Sequence, residues 1–297
     1  MNARERGFLL LTSQLGNPER IPLSPAHLRK LSGLVRTPVT QPETRDLEAR
    51  DLMALGCSPE LSRRIVALLA EEDLLDHYLN RAKRAGCTPI TRVTPGYPAL
   101  LRKQLGTEAP GCLWAKGDLS LLEKPGIALV GSRDLKDANR AFAREAGRQA
   151  ALQGLVLISG NARGADQEAQ DACLNAGGQV ISIVADELTR HTPGPNILYL
   201  SEDAFDAAFS AQRALSRNRS IHSLGQAVLV VQATLQKGGT WDGTSKNLRF
   251  GWNNVCIFRD GSDASQVLTQ MGAEAIDPED LLDLPALCKQ TRTFFDP

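Results

Sequence analysis

The stretch "IALVGSR", residues 127–133, decides the fold of this chain. A run of four apolar residues passes directly into Gly131 and Ser132, and the segment that follows places Phe142, Ala146 and Ala150 at four-residue spacing. Such a pattern predicts a short buried strand, a tight turn and an amphipathic helix.

Five further apolar runs follow the first one and have the same character. They are "LVLI" (155–158), "VISIV" (180–184), "ILYL" (197–200), "AVLVV" (227–231) and "VCIF" (255–258). Helical candidates separate most of them, which predicts an α/β fold with a doubly wound, mostly parallel Rossmann-like sheet. Ligands bind such sheets at the carboxyl ends of the strands, so the loop after each run is a candidate site.

The first part of the chain has a different pattern. From Ser24 to about Gly86 the apolar residues recur at three- and four-residue spacing, and Ser-Pro pairs at Ser24 and Ser58 are typical helix starts. We therefore expect a helical N-terminal domain over residues 1–88 and a Rossmann-like domain over residues 89–297.

The amino-acid composition and the lengths of the apolar runs exclude several classes of protein. In 297 residues, 34 Lys and Arg balance 34 Asp and Glu, so any basic binding site is local. The six cysteines are scattered, which predicts reduced thiols and no zinc site. The first apolar run is too short for a signal peptide, and no later run spans a membrane. We expect a cytoplasmic protein without a metal or cofactor.

Three loops offer groups that bind anions. Gly131, Ser132 and Arg133 follow the first run, where a plain strand-to-helix turn is the alternative. Ser159, Gly160 and Arg163 follow the second, and Asp166 stands where a helix should begin and is suited to cap it. Arg217 and Arg219 flank Asn218 in "LSRNRS", just before another predicted helix, and resemble a ligand clamp.

A stripe of basic residues follows the first loop. Lys136, Arg140, Arg144 and Arg148 repeat every four residues along the first predicted helix. The stripe is suited to track a nucleic-acid backbone, although a solvated helix face is the commoner meaning.

Several motifs together resemble the DprA/Smf family of DNA-processing proteins. They are "YPALLRKQL", "LWAKGDLSLL", "IALVGSR", "GLVLISGNARGAD", "GGQVISI", "LSE", "RNR" and "GGTWDGTSKNLRFGWNNVCIF". The resemblance implies an extended Rossmann-like fold, a basic pocket for single-stranded DNA and delivery of a recombinase to that DNA. It places the phosphate pocket at Gly131, Ser132, Arg133, Ser159, Gly160, Arg163, Arg217, Asn218 and Arg219.

The loop after "AVLVV" departs most from that family. It offers Lys237, Gly238, Gly239 and Thr240 to a phosphate, and then Trp241 and Asp242, where the family has small and apolar residues. Trp241 is suited to stack on a base, and Asp242 to activate water or stabilise a sugar cation. The structural alternative is that Trp241 packs and Asp242 caps a helix.

Two functions follow from these residues. The first is an enzyme that hydrolyses the N-glycosidic bond of a modified base in foreign DNA, a role in phage defence, with Asp242, Asp166, Glu202 and His222 as catalytic candidates and Asp203 as a further carboxylate. The second is a non-enzymatic protein that binds single-stranded DNA and loads a recombinase. A nucleotide-sensing module is a weaker third. The partner is DNA, homodimer formation is left open, and no membrane is involved.

Overall fold

The computed structural model describes residues 1–34, 47–202 and 204–288, so Asp203 lies outside the described residues. The described chain forms one nine-stranded sheet with helices on both faces, which confirms the predicted fold class. The strands are β1 (Thr88–Thr91), β2 (Cys112–Gly117), β3 (Gly126–Val130), β4 (Val156–Ser159), β5 (Val180–Val184), β6 (Ile197–Glu202), β7 (Ala227–Val230), β8 (Asn254–Phe258) and β9 (Glu274–Ile276).

The strand order is β1-β2-β6-β5-β4-β3-β7-β8-β9. From β3 the chain adds β4, β5 and β6 on one side, and then returns to add β7, β8 and β9 on the other. All of the pairings from β6 to β9 are parallel, whereas β1 and β2 pair antiparallel at one edge. The order therefore reverses between β3 and β7, which is the position where ligands bind in doubly wound sheets.

The six predicted runs are all strands, and three strands were not predicted. β1 and β2 lie at one edge of the sheet and β9 lies at the other. A central strand is recognised by an alternating or continuous apolar pattern, and these three segments lack it because they are short and mixed in composition. Pro89 further weakens the strand pattern in β1.

Helices cover both faces of the sheet and form the N-terminal part. They are α1 (Ala3–Thr12), α2 (Pro25–Leu34), α3 (Ala49–Ala54), α4 (Pro59–Leu69), α5 (Glu72–Arg84), α6 (Ala99–Leu105), α7 (Asp137–Leu152), α8 (Ala165–Asn175), α9 (Ala211–Leu224), α10 (Gly238–Phe250), α11 (Asp263–Gln270) and α12 (Leu284–Leu287). α1 was not predicted, although Asn2 and Glu5 form a capping box at its start.

Side chains of the central strands alternate between two apolar cores. In β3, Ile127 and Leu129 pack with α7 and α8 on one face, whereas Ala128 and Val130 pack with α6, α9 and α11 on the other. This period of two is the pattern expected when both faces of a sheet are covered. Trp241 and Leu248 of α10 pack against the second of these cores, so α10 lies on the same face of the sheet as α9.

The N-terminal helices share a third core with the sheet. Leu75 and Tyr78 of α5 pack with Trp114 of β2 and Phe205, and the rings of Tyr78 and Trp114 meet edge to face at 5.3 Å. The Tyr78 hydroxyl donates to Asp206 Oδ1 at 2.8 Å. The boundary proposed at residue 88 therefore falls where the polypeptide passes from these helices into the sheet that they contact.

Among the described residues, no helix is long and apolar enough to cross a lipid bilayer.

Candidate functional site

A cavity of about 530 Å³ opens at the carboxyl ends of β3 and β7, where the strand order reverses. Three cationic side chains line it, from Arg133, Arg217 and Lys237, together with one carboxylate, from Asp166. The cavity brings together most of the phosphate-binding residues that the sequence suggested: Gly131, Ser132, Arg133, Arg217, Asn218, Lys237, Gly238, Gly239 and Thr240.

The loop after β3 passes close to two neighbouring elements. A Cβ atom on Gly131 would lie 2.4 Å from the Cβ of Ala165 and 3.0 Å from that of Val231, so only glycine fits there. Ser132 is half-buried and its Oγ accepts from the backbone N–H of Asp134 at 3.2 Å. Arg133 is exposed, and it lines both this cavity and an adjoining one of about 490 Å³.

Asp166 holds the loop after β4 and does not cap helix α8. Its Oδ2 accepts from the backbone N–H of Gly160 at 3.0 Å and of Ala162 at 3.2 Å, whereas the cap position is Gly164. Burial raises the pKa of the Asp166 carboxyl, and the charge of Arg217 opposes that shift. The sequence correctly placed Asp166 at the start of α8, but the structure shows that its carboxylate holds the preceding loop and does not cap the helix.

Ser159 does not reach the cavity. It is fully buried at the end of β4, and its Oγ accepts from Nε2 of Gln170. The same amide lies 3.3 Å from the Ser182 hydroxyl. Gln170 of α8 therefore links Ser159 of β4 to Ser182 of β5, and the expected phosphate contact from Ser159 is corrected to a structural one.

Arg217 is the central cation of the site. It projects from α9 into the cavity with only 7% of its surface exposed. Its Nε atom is buried and has no hydrogen-bond partner among the described residues. Burial lowers the pKa of Arg217, and the charges of Asp166 and Glu202 oppose that shift. A buried guanidinium with unused donors is costly unless an anion binds it.

Gly160 makes room for the guanidinium of Arg217. A Cβ atom built on Gly160 would lie 1.4 Å from Nη1 and 2.2 Å from Cζ of Arg217. The guanidinium therefore lies directly against the backbone of the loop after β4, and a larger residue at position 160 would displace it.

The motif "RNR" lies inside α9 and not before a helix as predicted. Successive residues of a helix point about 100° apart, so the three side chains separate. Arg217 and Asn218 line the cavity, and the Asn218 amide donates to the Gly239 carbonyl at 3.1 Å. Arg219 lines a second cavity instead. The clamp predicted from the sequence is thus divided between two cavities.

The segment "GGTWDGTSKN" was expected to be a loop and forms the first ten of the thirteen residues of helix α10. Residues 231–237 form the connection from β7, and Gly238, Gly239 and Thr240 make the first turn of the helix at the edge of the cavity. Free backbone N–H groups at a helix start favour an anion. Glycines disfavour a helix, but this one forms because Trp241 and Leu248 pack against the core that contains Ala128 and Val130.

Trp241 and Asp242 point in different directions because they are neighbours in a helix. Trp241 is partly buried against the core, so it does not offer a free ring for base stacking. Asp242 lies in the second turn of α10 and not at its cap, and its Oδ2 accepts from Lys246 Nζ at 2.9 Å. It lines the second cavity, about 730 Å³ in size, together with Arg219.

Glu202 and His222 lie in the interior. Glu202 at the end of β6 accepts from the Ser220 hydroxyl and lies 4.0 Å from Arg219 Nη2. His222 has no exposed surface, and burial lowers its pKa to about 4. It is therefore neutral at physiological pH and out of reach of solvent, which corrects its interpretation as a proton carrier.

The basic stripe on α7 is matched by carboxylates. Arg140 and Arg144 both pair with Glu168 of α8, and Arg148 pairs with Glu145. Arg163 pairs with Asp134 at 2.8 Å on the surface and lines the adjoining cavity. Because Arg140, Arg144 and Arg148 are paired with carboxylates, the stripe fits the commoner interpretation as a solvated helix face.

Phe209 and Arg213 were not among the predicted residues. Phe209 lines both the main and the adjoining cavity with 56% of its surface exposed. Arg213, near the start of α9, donates to the carbonyls of Ala207 and Ala208 and to the Ser201 hydroxyl, which ties the connection after β6 to this helix. Neither stands in a glycine-rich or charged motif, so only their position in space identifies them.

Comparison with known families and proteins shows which proteins this chain is similar to. Residues 88–283 match the model of the DNA recombination-mediator protein A family. The Smf protein of Escherichia coli is 32% identical over 143 residues, which is 44% of this chain and 38% of that protein. The DNA processing protein DprA of Streptococcus pneumoniae is 33% identical over 141 residues, which is 44% of this chain and 50% of that protein. The chain thus matches half or less of these two curated relatives.

Two solved structures share the fold. The X-ray structure of DprA from Streptococcus pneumoniae has a TM-score of 0.65 at 24% identity and covers 88% of this chain and 98% of that one. A structure of DNA processing protein A from Helicobacter pylori, described for its single-stranded DNA binding mode, has a TM-score of 0.56 at 22% identity, and covers 67% of this chain and 95% of that one.

Proposed function

Because this chain belongs to the DNA recombination-mediator protein A family, we propose that it binds single-stranded DNA, with a backbone phosphate in the cavity at the ends of β3 and β7. The Helicobacter pylori protein, whose structure is described for its single-stranded DNA binding mode, supports this choice of ligand. We also propose that the protein acts in recombination by handing the bound strand to a recombinase, as the family description suggests.

The observation that carries the proposal is Arg217. Its guanidinium is buried against Gly160, its Nε has no partner within the described residues, and it faces a cavity also lined by Arg133 and Lys237. A phosphate group supplies the acceptors that this arginine lacks, and the free N–H groups at the start of α10 add further donors.

Binding fits the site better than hydrolysis does. Glycoside hydrolases normally place two carboxylates on either side of the bond, and cleavage of an N-glycosidic bond needs at least one carboxylate that is free to contact the sugar or a water. The described lining of the main cavity contains one, Asp166, and its Oδ2 is held by two backbone N–H groups. Asp242 pairs with Lys246 beside the other cavity, and Glu202 and His222 are buried. The hydrolytic hypothesis therefore gains no support from this geometry.

Equilibrium binding of a fluorescent oligo-dT strand and of a duplex of the same length tests the proposal. We expect the single strand to bind more tightly, and we expect Arg217→Gln to weaken its binding at least about tenfold, as loss of a charged hydrogen bond predicts. The affinity should also fall less steeply with salt in the variant, because one phosphate contact is lost.

Arg148→Gln is the matched control, since Arg148 pairs with Glu145 on α7 and lines neither the main cavity nor the second one. Exposed Lys237, changed to Gln, provides a second probe of the cavity that does not disturb the core. Equal affinity of the wild type and of both cavity variants for the single strand would overturn the proposed site. Release of free bases from DNA would instead support the hydrolytic hypothesis.

A further inference from the structure

A second cavity, of about 730 Å³, adjoins the proposed phosphate cavity and has not been given a role. The two cavities share Leu215 and Gly238 as walls. The second one lies between α9 and α10, and Leu105 and Glu108 border it from the segment around the end of α6. The two cavities therefore lie next to each other, on either side of Leu215 and Gly238.

Each helix contributes one regular face to this groove. α9 supplies residues at positions 212, 215, 216 and 219, and α10 supplies residues at positions 238, 242, 243, 246 and 250. Spacings of three and four place side chains on the same side of a helix. The groove is therefore built by two packed helices and not by a mobile surface loop.

An aromatic pair forms one end of the groove. The rings of Phe250 and Trp252 are stacked, with centroids 5.8 Å apart and planes 18° from parallel. Phe250 keeps 60% of its surface exposed, and the guanidinium of Arg249 lies 5.5 Å from its ring centroid. An exposed aromatic ring on a soluble protein is the kind of surface on which nucleic-acid bases stack.

Polar groups border the same groove. Arg219 has a buried Nε with no hydrogen-bond partner among the described residues. Asp242 and Lys246 form an exposed pair, and Gln212 and Ser216 add an amide and a hydroxyl. The edge of a base carries both donors and acceptors, so a groove with both kinds of group is suited to it.

We propose that this groove binds the base of a nucleotide adjacent to the one whose phosphate occupies the first cavity. Phe250 with Trp252 provides the stacking surface, and Asp242 contacts the base edge. The inference rests on the proposed function, because it needs a strand in the first cavity. It also places Asp242 in the same groove as an aromatic ring, that of Phe250, whereas the sequence had suggested Trp241 as the aromatic partner.

The test compares two labelled strands of equal length, oligo-dT and an abasic strand with the same sugar-phosphate backbone, by fluorescence anisotropy. We expect Phe250→Ala to weaken binding of oligo-dT by about 5- to 100-fold, since stacking contributes about 1–3 kcal/mol per base. Binding of the abasic strand should change by less than about twofold, because the variant removes no phosphate contact.

Leu152→Ala is the matched control, since Leu152 is also 60% exposed but lies on α7. Arg217→Gln should weaken binding of both strands alike, which separates the base groove from the phosphate cavity. A Phe250→Ala variant that binds oligo-dT as the wild type does, or loses both strands equally, would overturn the groove proposal. Failure of the wild type to bind either strand would instead overturn the proposed function.

A second variant tests the proposed contact between Asp242 and the edge of the base. We expect Asp242→Asn to change the order of affinities for homopolymers of dA, dC, dG and dT, because a carboxylate that only accepts hydrogen bonds becomes an amide that also donates them. An unchanged order of affinities would contradict the assignment of Asp242.

Discussion

Individual side chains of this protein act through close contacts that no single motif reveals. The guanidinium of Arg217 lies against the backbone of Gly160, and Asp166 holds the same loop through two backbone N–H groups. The loop after β4 thus supports the arginine that lines the cavity. At this scale the proposed binding site depends on the absence of a side chain as much as on the presence of one.

We expect Gly160→Ala to reduce binding of single-stranded DNA at least about tenfold while the protein stays folded. The new Cβ would overlap Nη1 of Arg217, which is the far end of a flexible side chain, so the arginine moves and the backbone does not. Anisotropy with oligo-dT measures the loss. Gly96→Ala, with nothing within 4 Å of the new Cβ, is the control, and equal affinity of the two variants would contradict the expectation.

His222 makes stability depend on pH. Burial lowers its pKa to about 4 from 6.5, so the unfolded chain binds a proton more readily than the folded one between those values. Its contribution is fully present above pH 6.5 and is lost as the pH falls toward 4. From pH 7 to pH 5 we expect a loss of about 2 kcal/mol in the free energy of unfolding.

Urea unfolding of the wild type and of His222→Gln at both pH values isolates this effect. The variant lacks the imidazole, so the difference in unfolding free energy between the two proteins should shrink as the pH falls. A constant difference would mean that His222 is protonated alike in both states.

At the scale of helices and strands, close packing explains where the site lies. α7 and α8 cross where Gly147 meets the backbone of Ala169, and a Cβ on Gly147 would lie 2.0 Å from the Ala169 carbonyl oxygen. This contact seats α8 against the sheet, so that its first turn places Asp166 under the cavity. α9 and α10 approach similarly on the other face, and the groove between them holds the second cavity.

We expect Gly147→Ala to lower the free energy of unfolding by about 1–3 kcal/mol, because the clash is with backbone atoms that cannot rotate away. In an open helix the same change would raise stability by about 0.5–1 kcal/mol, so the sign of the effect tests the contact. Urea midpoints measure it. Gly194→Ala, whose Cβ would meet only a methyl group at 3.8 Å, is the control. A stabilised Gly147→Ala protein would disprove the close approach.

Over the whole molecule, the N-terminal helices and the sheet share one apolar core. Leu75 of α5 is completely buried in the cluster that also contains Trp114 of β2 and Phe205. We therefore propose that residues 1–88 and 89–297 unfold together although their sequence patterns differ. Contacts of this kind lie beyond the reach of local patterns, because they join residues far apart in the chain.

We expect Leu75→Ala to lower the free energy of unfolding of the entire chain by about 2–5 kcal/mol. Hydrogen exchange should show that α5 and β2 lose protection together, because a cavity in the shared core weakens both. Leu152→Ala, at an exposed position, should leave the protection unchanged. Loss of protection confined to the N-terminal helices would show that the two parts unfold separately.

Local sequence patterns were enough to predict the class of fold, the six central strands and the family, because runs such as 127–131 and 227–231 are apolar through both faces of a buried sheet and end in glycine-rich turns. They also pointed to Arg217 and Asp166. The contacts that these two side chains make follow only from the packing of the helices. A helix sends neighbouring side chains in different directions, so it separated Arg217 from Arg219 and Trp241 from Asp242, and packing across α9 and α10 brought Phe250 and Trp252 to the groove instead.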